Sequence, residues 1–92
     1  MATIINLHPR VIIEAYAGPA SYQPGGFVVT TVAGPIVVEQ ANVIESTKGY
    51  HASVTGISGQ NLLIQAYASG ATEVTSGTVL TTVTFTVMEI GL

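Results

Sequence analysis

Apolar and polar residues alternate with a period of two along several short stretches of this chain. The clearest stretch is 78–90, near the C-terminus. Its apolar set is Val79, Val83, Phe85 and Val87, and its hydroxyl set is Thr78, Thr82, Thr84 and Thr86. A period of two is typical of a strand with side chains on opposite faces. We therefore predict a final strand with one core face and one threonine face, which either meets solvent or packs against a neighbouring subunit.

A second alternating stretch precedes a turn in the middle of the chain. Tyr50, Ala52 and Val54 alternate with His51, Ser53 and Thr55. The sequence Ser58-Gly59-Gln60-Asn61 then separates this stretch from the apolar run 62–68. Glycine and asparagine between two strand-like runs favour a tight connection. The pattern predicts a β-hairpin centred on Gly59.

Three earlier stretches alternate less regularly. They cover 11–17, 27–33 and 36–46, and they contain the adjacent apolar pairs Ile12-Ile13, Val28-Val29 and Val37-Val38. Such pairs are typical of strands that are covered on both faces. In a domain this small, the second cover would have to come from another chain.

The chain as a whole favours β-structure. Valine, isoleucine and threonine account for 12, 9 and 12 of the 92 residues, and their branched β-carbons suit pleated strands. Turn-forming dipeptides such as Gly18-Pro19 and Ser76-Gly77 separate short runs, and no window shows an unbroken helical period. We predict one all-β domain over residues 1–92, a small antiparallel β-sandwich or β-barrel. Residues 1–10 form either an extended N-terminal arm or a frayed first strand.

Charge is scarce in this sequence. Only seven residues are charged, with two basic and five acidic side chains, whereas a typical soluble domain carries about a quarter of its residues as charges. A small domain needs cross-links or partners to gain stability, and the chain has no cysteine for a disulfide. We therefore expect much of the surface to be covered by other protein.

Several partners and locations are disfavoured by the same composition. Two basic residues cannot form the positive surface on which nucleic-acid binding depends. The apolar runs are far shorter than the roughly 20 residues of a membrane-spanning helix. The first residues, Met1 to Asn6, lack the basic and long apolar regions of a secretory leader. We expect a chain made in the cytoplasm, without nucleic-acid or membrane partners.

The residues needed for catalysis or for metal binding do not form a recognisable pattern. Gly56-Ile57-Ser58-Gly59-Gln60 departs from the nucleophile elbow at Gln60, so a hairpin turn is favoured there. His8 and His51 share no ligand spacing of the zinc motifs, and His51 is predicted on the polar face of its strand. Glu39 and Glu45 would lie about 20 Å apart on one strand. We expect no enzyme, no metal and no cofactor.

Turn placement and the last strand resemble those of a known class of proteins. The relevant segments are Tyr22-Gln23-Pro24-Gly25-Gly26-Phe27, Gly70 with Glu73, Gly77-Thr78-Val79-Leu80 and Met88-Glu89-Ile90-Gly91-Leu92. In these the chain resembles capsid decoration, or cement, proteins of tailed phages. The resemblance implies a small β domain, often trimeric, on the outside of an icosahedral head. There it would clamp subunits of the major capsid protein, and it would have no catalytic residue.

Both termini are candidate contact segments under this hypothesis. The apolar residues of interest are Ile4, Ile5 and Leu7 in the arm and Ile90 and Leu92 in the tail. Two other classes remain open. One is a small adhesin or carbohydrate-binding β-sandwich that uses the tyrosines Tyr16, Tyr22, Tyr50 and Tyr67, although their scattered positions favour packing. The other is a different virion subunit, such as a tail or fibre component.

Overall fold

Seven β-strands form the regular structure of the residues that the structure describes. The computed structural model describes residues 10–33, 35, 37–69 and 72–92. The strands are β1 (Arg10–Ala17), β2 (Phe27–Thr30), β3 (Val38–Ser46), β4 (His51–Ser58), β5 (Asn61–Ser69), β6 (Thr72–Glu73) and β7 (Thr84–Gly91). In this part of the chain there is no helix, as the abundance of branched residues predicts.

The strands form two antiparallel sheets that pack face to face. The first sheet has the order β1-β7-β3, so the last strand lies between the first and the third. The second has the order β2-β5-β4, and the short β6 also pairs with β5. The fold is therefore an all-β antiparallel sandwich, which confirms the predicted fold class.

The inner faces of the two sheets supply the core. From β7 come Phe85 and Val87, and from β5 come Leu62, Ile64 and Ala66, all fully buried. The ring of Phe27 packs against that of Phe85 with 5.4 Å between centroids. Burial of a large apolar side chain contributes about 1.5–3 kcal/mol, so these two central strands account for much of the stability of the sandwich.

The predicted hairpin is confirmed. β4 pairs with β5 in antiparallel register, and Ser58 lies opposite Asn61, which leaves Gly59 and Gln60 as the turn. Gly59 has a φ of 60°, a backbone conformation that glycine adopts without strain. His51 is exposed, as predicted for the polar face of this strand.

The prediction for the start of the last strand is wrong. β7 begins at Thr84, and Val79 is 63% exposed instead of pointing into the core. The residues before it are held in turns, because Thr78 donates to the carbonyl of Thr75 and Val83 donates to that of Leu80. Leu80 is fully buried in place of Val79. The alternation from Val83 onward is correct.

The two sides of the sandwich differ. On one side β3 and β4, joined by residues 47–50, lie close together, and Val38 donates to the carbonyl of Gly59 across the gap. On the other side β1 and β2 make no comparable contact. There the segment after β2 approaches β1, where Arg10 donates to the carbonyl of Ala33 at 2.9 Å. The inner face of β1 is consequently only half-buried.

Candidate functional site

An apolar patch lies on the outward side of the β1-β7-β3 sheet. Val11 pairs with Ile90 and Ile13 pairs with Met88, so these four side chains form one group on two neighbouring strands. We call this group the outer patch. Val11 and Ile13 are 59% and 61% exposed. Exposed apolar groups of this kind mark interaction sites more often than single scattered residues do.

The β3 residues that lie directly opposite the outer patch are amides. Gln40 lies opposite Ile90, and Asn42 lies opposite Met88. Along β1 the next outward residues are Ala15 and Ala17. The patch is therefore framed by amides and small side chains, which suits a partner surface that is itself short of charge.

A cluster of three polar side chains lies on the opposite, inward side of the same sheet. Tyr16 donates its phenolic proton to Oε2 of Glu89, which is fully buried. Glu14 lies on the same face of β1, and its Oε2 accepts from the backbone N–H groups of Val32 and Ala33 at 3.2 and 3.3 Å. We call Glu14, Tyr16 and Glu89 the carboxyl cluster. It joins the central strand, the edge strand and the segment after β2.

Burial and the two neighbouring carboxyls shift the ionisation of this cluster. The pKa of Glu89 is raised to about 7, mainly because burial removes the carboxyl from water; the hydrogen bond from Tyr16 opposes this increase, and the neighbouring Glu14 adds to it. Burial alone would raise the pKa of Glu14 as well, but its hydrogen bonds with Glu89, Ala33 and Val32 lower it. Burial, followed by the bond to Glu89, raises the pKa of Tyr16. Glu14 is therefore the anion of the pair.

One proton satisfies the whole cluster. Oε1 of Glu14 and Oε1 of Glu89 are both buried and accept no hydrogen bond from any described N–H or hydroxyl group. Each carboxyl shifts the pKa of the other, and two ionised carboxylates are acceptors only, so they cannot bond to each other without a proton. A proton on Glu89, the carboxyl whose pKa is raised, is the donor that this pair of acceptors otherwise lacks. The cluster thus holds a proton near neutral pH inside the sandwich.

A second tyrosine and glutamate pair anchors the turn between β1 and β2. Tyr22 is fully buried, and its hydroxyl donates to Oε2 of Glu73 at 2.6 Å and accepts from the N–H of Ala66 at 3.1 Å. The same Glu73 oxygen accepts from the N–H of Gly25 at 2.8 Å. Burial and the bond to Glu73 raise the pKa of Tyr22 to about 12. This pair ties the turn to β5 and β6, which indicates a structural role.

The predicted contact residues have different outcomes. Ile4, Ile5 and Leu7, with most of the proposed arm, lie outside the described residues. Ile90 belongs to the outer patch, where it is partly exposed. Leu92 is 38% exposed, and its backbone exchanges two hydrogen bonds with Val37, so the tail is held against the start of β3. Whether these residues touch another protein remains a prediction.

The other residues considered from sequence are not brought together. Glu39 and Glu45 are exposed on β3, as expected for solubility charges. The tyrosines occupy separate places: Tyr22 in the core, Tyr16 in the carboxyl cluster, Tyr50 against the core, and Tyr67 opposite His51 on the outside of the second sheet. Two surface depressions, of about 360 and 270 Å³, are lined by neither Glu14 nor Glu89.

The carboxyl cluster was missed because only close spacing in sequence was considered for the glutamates. Strand alternation offers an indication of it. Val83, Phe85 and Val87 have the same parity as Glu89, so the pattern that predicts the core face also puts Glu89 on it. Glu14 lies between Ile12 and Tyr16 in the same way. Its pairing with Glu89 depends on the contact between β1 and β7, which no local pattern predicts.

Comparisons with protein-family models, curated proteins and solved structures give no match to this chain. Within the described ranges, no three histidine, cysteine, aspartate or glutamate side chains are grouped as metal ligands would be. The same ranges contain no helix of the length and hydropathy that a membrane span requires. The outer patch and the carboxyl cluster are thus the features that carry the functional argument.

Proposed function

We propose that the chain is a non-enzymatic structural subunit of a phage particle, which binds the outer surface of the head and stabilises contacts between subunits of the major capsid protein. The observation that carries the proposal is the outer patch, where Val11 and Ile13 remain about three-fifths exposed. Such a surface is covered favourably by protein, at about 25 cal/mol for each Å² of apolar area removed from water.

A capsid shell is a suitable partner for a small domain of this kind. Each copy offers a modest apolar contact, and a shell presents many equivalent seams. Binding only to the assembled shell stabilises that state by mass action. If the copies also associate with each other, binding of one copy to the shell holds the next copy close to its own site, so the second copy binds at a high effective concentration. The chain would then be made in the host cytoplasm and would function on the capsid exterior as a homo-oligomer.

The proposal is tested by cosedimentation with expanded heads of the phage that encodes the chain, after their outer proteins have been stripped. Wild-type protein is expected to pellet with the heads and to saturate. Val11→Lys, which puts a charge in the outer patch, is expected to weaken the affinity for heads at least about tenfold, a change of about 1.4 kcal/mol, and so to lower the occupancy at concentrations below saturation.

Val28→Lys provides the matched control, since Val28 is a strand valine that is 63% exposed on the other sheet. It is expected to bind as the wild type does. Wild-type protein that stays in the supernatant at all concentrations, or a Val11→Lys variant with full occupancy, would count against the proposal.

The terminal segments are tested separately. Deletion of residues 1–7 removes Ile4, Ile5 and Leu7, and full copy number on heads without them would exclude a role for the arm. In the tail, Leu92→Ser removes an exposed apolar side chain without touching the backbone bonds to Val37. Lower occupancy of this variant is expected if the tail contacts the shell.

A further inference from the structure

The long edge strands of the two sheets and the short β2 are protected to different degrees. An edge strand presents unpaired N–H and C=O groups, and proteins blunt such edges with bulges, charges or short length. β3 has two register shifts and the exposed charges Glu39 and Glu45. β4 has a register shift between Val54 and Gly56 and lies close to β3. β2 has only four residues.

β1 is neither bulged nor short, and its two charged residues are Arg10 at its first position and Glu14. It pairs with β7 over all eight residues without a register shift, and it contains no lysine, proline or glycine. Its one carboxylate, Glu14, is turned inward and bound by the N–H groups of Val32 and Ala33. Within the described part of the chain, only β7 makes backbone hydrogen bonds to residues 11–17. Among the described residues, the free edge of β1 is therefore regular and has no strand paired with it.

We infer that a second copy of this chain pairs with the free edge of β1 through its own β1, in antiparallel orientation, to form a continuous six-stranded sheet. The inference concerns the protein in solution and does not depend on the proposed function. Antiparallel pairing of one strand with itself needs only a two-fold axis perpendicular to the sheet, which is the commonest oligomer symmetry. Strand addition of this kind satisfies the exposed backbone groups of both copies.

The side chains of β1 select the register of this pairing. With Ile13 on the two-fold axis, the two Ile13 side chains face each other and Val11 lies opposite Ala15. Moving the axis to Glu14 would put two carboxylates directly opposite, which is destabilising. We therefore assign the axis to Ile13.

A second copy fits this edge better than a charged partner does. The outward side chains of β1 are Val11, Ile13, Ala15 and Ala17, none of which carries a charge. Pairing places the outer patches of two copies side by side and doubles the apolar surface on one side of the sheet. The trimer that the resemblance implies would require a different contact. The mass of the oligomer in solution therefore distinguishes a dimer from a trimer.

Single cysteines test the pairing, since the chain has no cysteine of its own. Ile13→Cys brings two thiols opposite each other on the axis, where directly paired strand positions fit the geometry of a disulfide. We expect mild oxidation with glutathione to convert most of this variant to a covalent dimer. Light scattering of the wild type is expected to give about twice the 9.5 kDa of the chain.

Met88→Cys distinguishes edge pairing from stacking of one sheet on another. Met88 adjoins Ile13 in the outer patch but lies on β7, so edge pairing separates the two copies of residue 88 by three strand spacings, about 14 Å. A disulfide cannot bridge this distance. Val28→Cys is the control on the other sheet. A monomer or trimer in solution, or equal cross-linking of Met88→Cys and Ile13→Cys, overturns the inference.

Discussion

Tyr16 donates a hydrogen bond to the Glu89 carboxyl, although the two residues lie near opposite ends of the chain. The bond crosses from the edge strand β1 to the central strand β7 on the inner face of their sheet. Because Glu89 is fully buried, its ionisation is coupled to the stability of the sandwich.

Glu89→Gln is expected to change how stability depends on pH. The folded state raises the pKa of Glu89 from 4.5 to about 7, so the folded protein binds more protons than the unfolded chain between these values. The free energy of unfolding of the wild type should therefore fall as pH rises from about 4.5 to about 7. At about 1.4 kcal/mol per pKa unit, the change is about 3 kcal/mol.

In Glu89→Gln the free energy of unfolding should not fall in this way as pH rises, because the amide can accept from Tyr16 and donate to Glu14 without ionising. Urea unfolding at pH 5 and pH 8 measures the difference. Glu45→Gln, at an exposed position on β3, is the control and should follow the wild type. An identical pH profile for Glu89→Gln and the wild type would show that the buried carboxyl does not titrate as described.

In Glu14→Gln the free energy of unfolding is still expected to fall as pH rises, but over a lower pH range than in the wild type. The charge of Glu14 contributes to the raised pKa of Glu89, but burial is the larger cause and remains in the variant. The same unfolding experiment, repeated at several pH values, gives the midpoint of the fall. A midpoint that stays in place would mean that the two carboxyls are not coupled.

Tyr22→Phe is expected to destabilise the protein. Loss of the hydroxyl leaves the buried N–H of Ala66 without its acceptor, at a cost of about 1–3 kcal/mol. For a chain of this size, 1 kcal/mol corresponds to roughly 4–8 °C in melting temperature, which calorimetry resolves. Tyr50→Phe is the control, since no described group bonds to that hydroxyl, and it should melt close to the wild type.

The same variant should alter the response to acid. Hydrogen bonds from Tyr22 and Gly25 lower the pKa of Glu73, so this group contributes stability above pH 4.5 that is lost as pH falls through the folded value. Without the Tyr22 bond this contribution shrinks. The difference between wild type and Tyr22→Phe should thus be larger at pH 6 than at pH 3. An equal difference at both would exclude the coupling.

Gly18→Ala is expected to destabilise the end of β1. A Cβ at this position would lie 2.5 Å from Cβ and 2.6 Å from the carbonyl oxygen of the buried Leu80. Overpacking of this kind costs about 1–3 kcal/mol. In Gly56→Ala the nearest atom to the new Cβ is Leu63 Cβ at 3.5 Å, an ordinary contact, so this variant serves as control. Thermal melts of both should differ clearly, and equal melts would contradict the packing described at Gly18.

Much of the fold was predictable from local patterns. Alternation in β4 and β5, with Gly59 at the turn, indicates the hairpin because the side-chain period and the turn chemistry are both local properties. The alternation of Val83, Phe85 and Val87 likewise indicates the core face of β7. At Val79 the same argument failed, because two turns interrupt the strand before Thr84 and bury Leu80 instead.

The candidate sites depend on contacts between distant segments. The amino-acid order establishes an all-β chain with little charge, since branched side chains and the period of two act over a few residues. It does not specify that β7 lies between β1 and β3, and only that arrangement brings Glu14 and Tyr16 to Glu89 and leaves the regular edge of β1 open. The strand order results from long-range packing of the two sheets. That packing buries Glu89, and the burial raises its pKa.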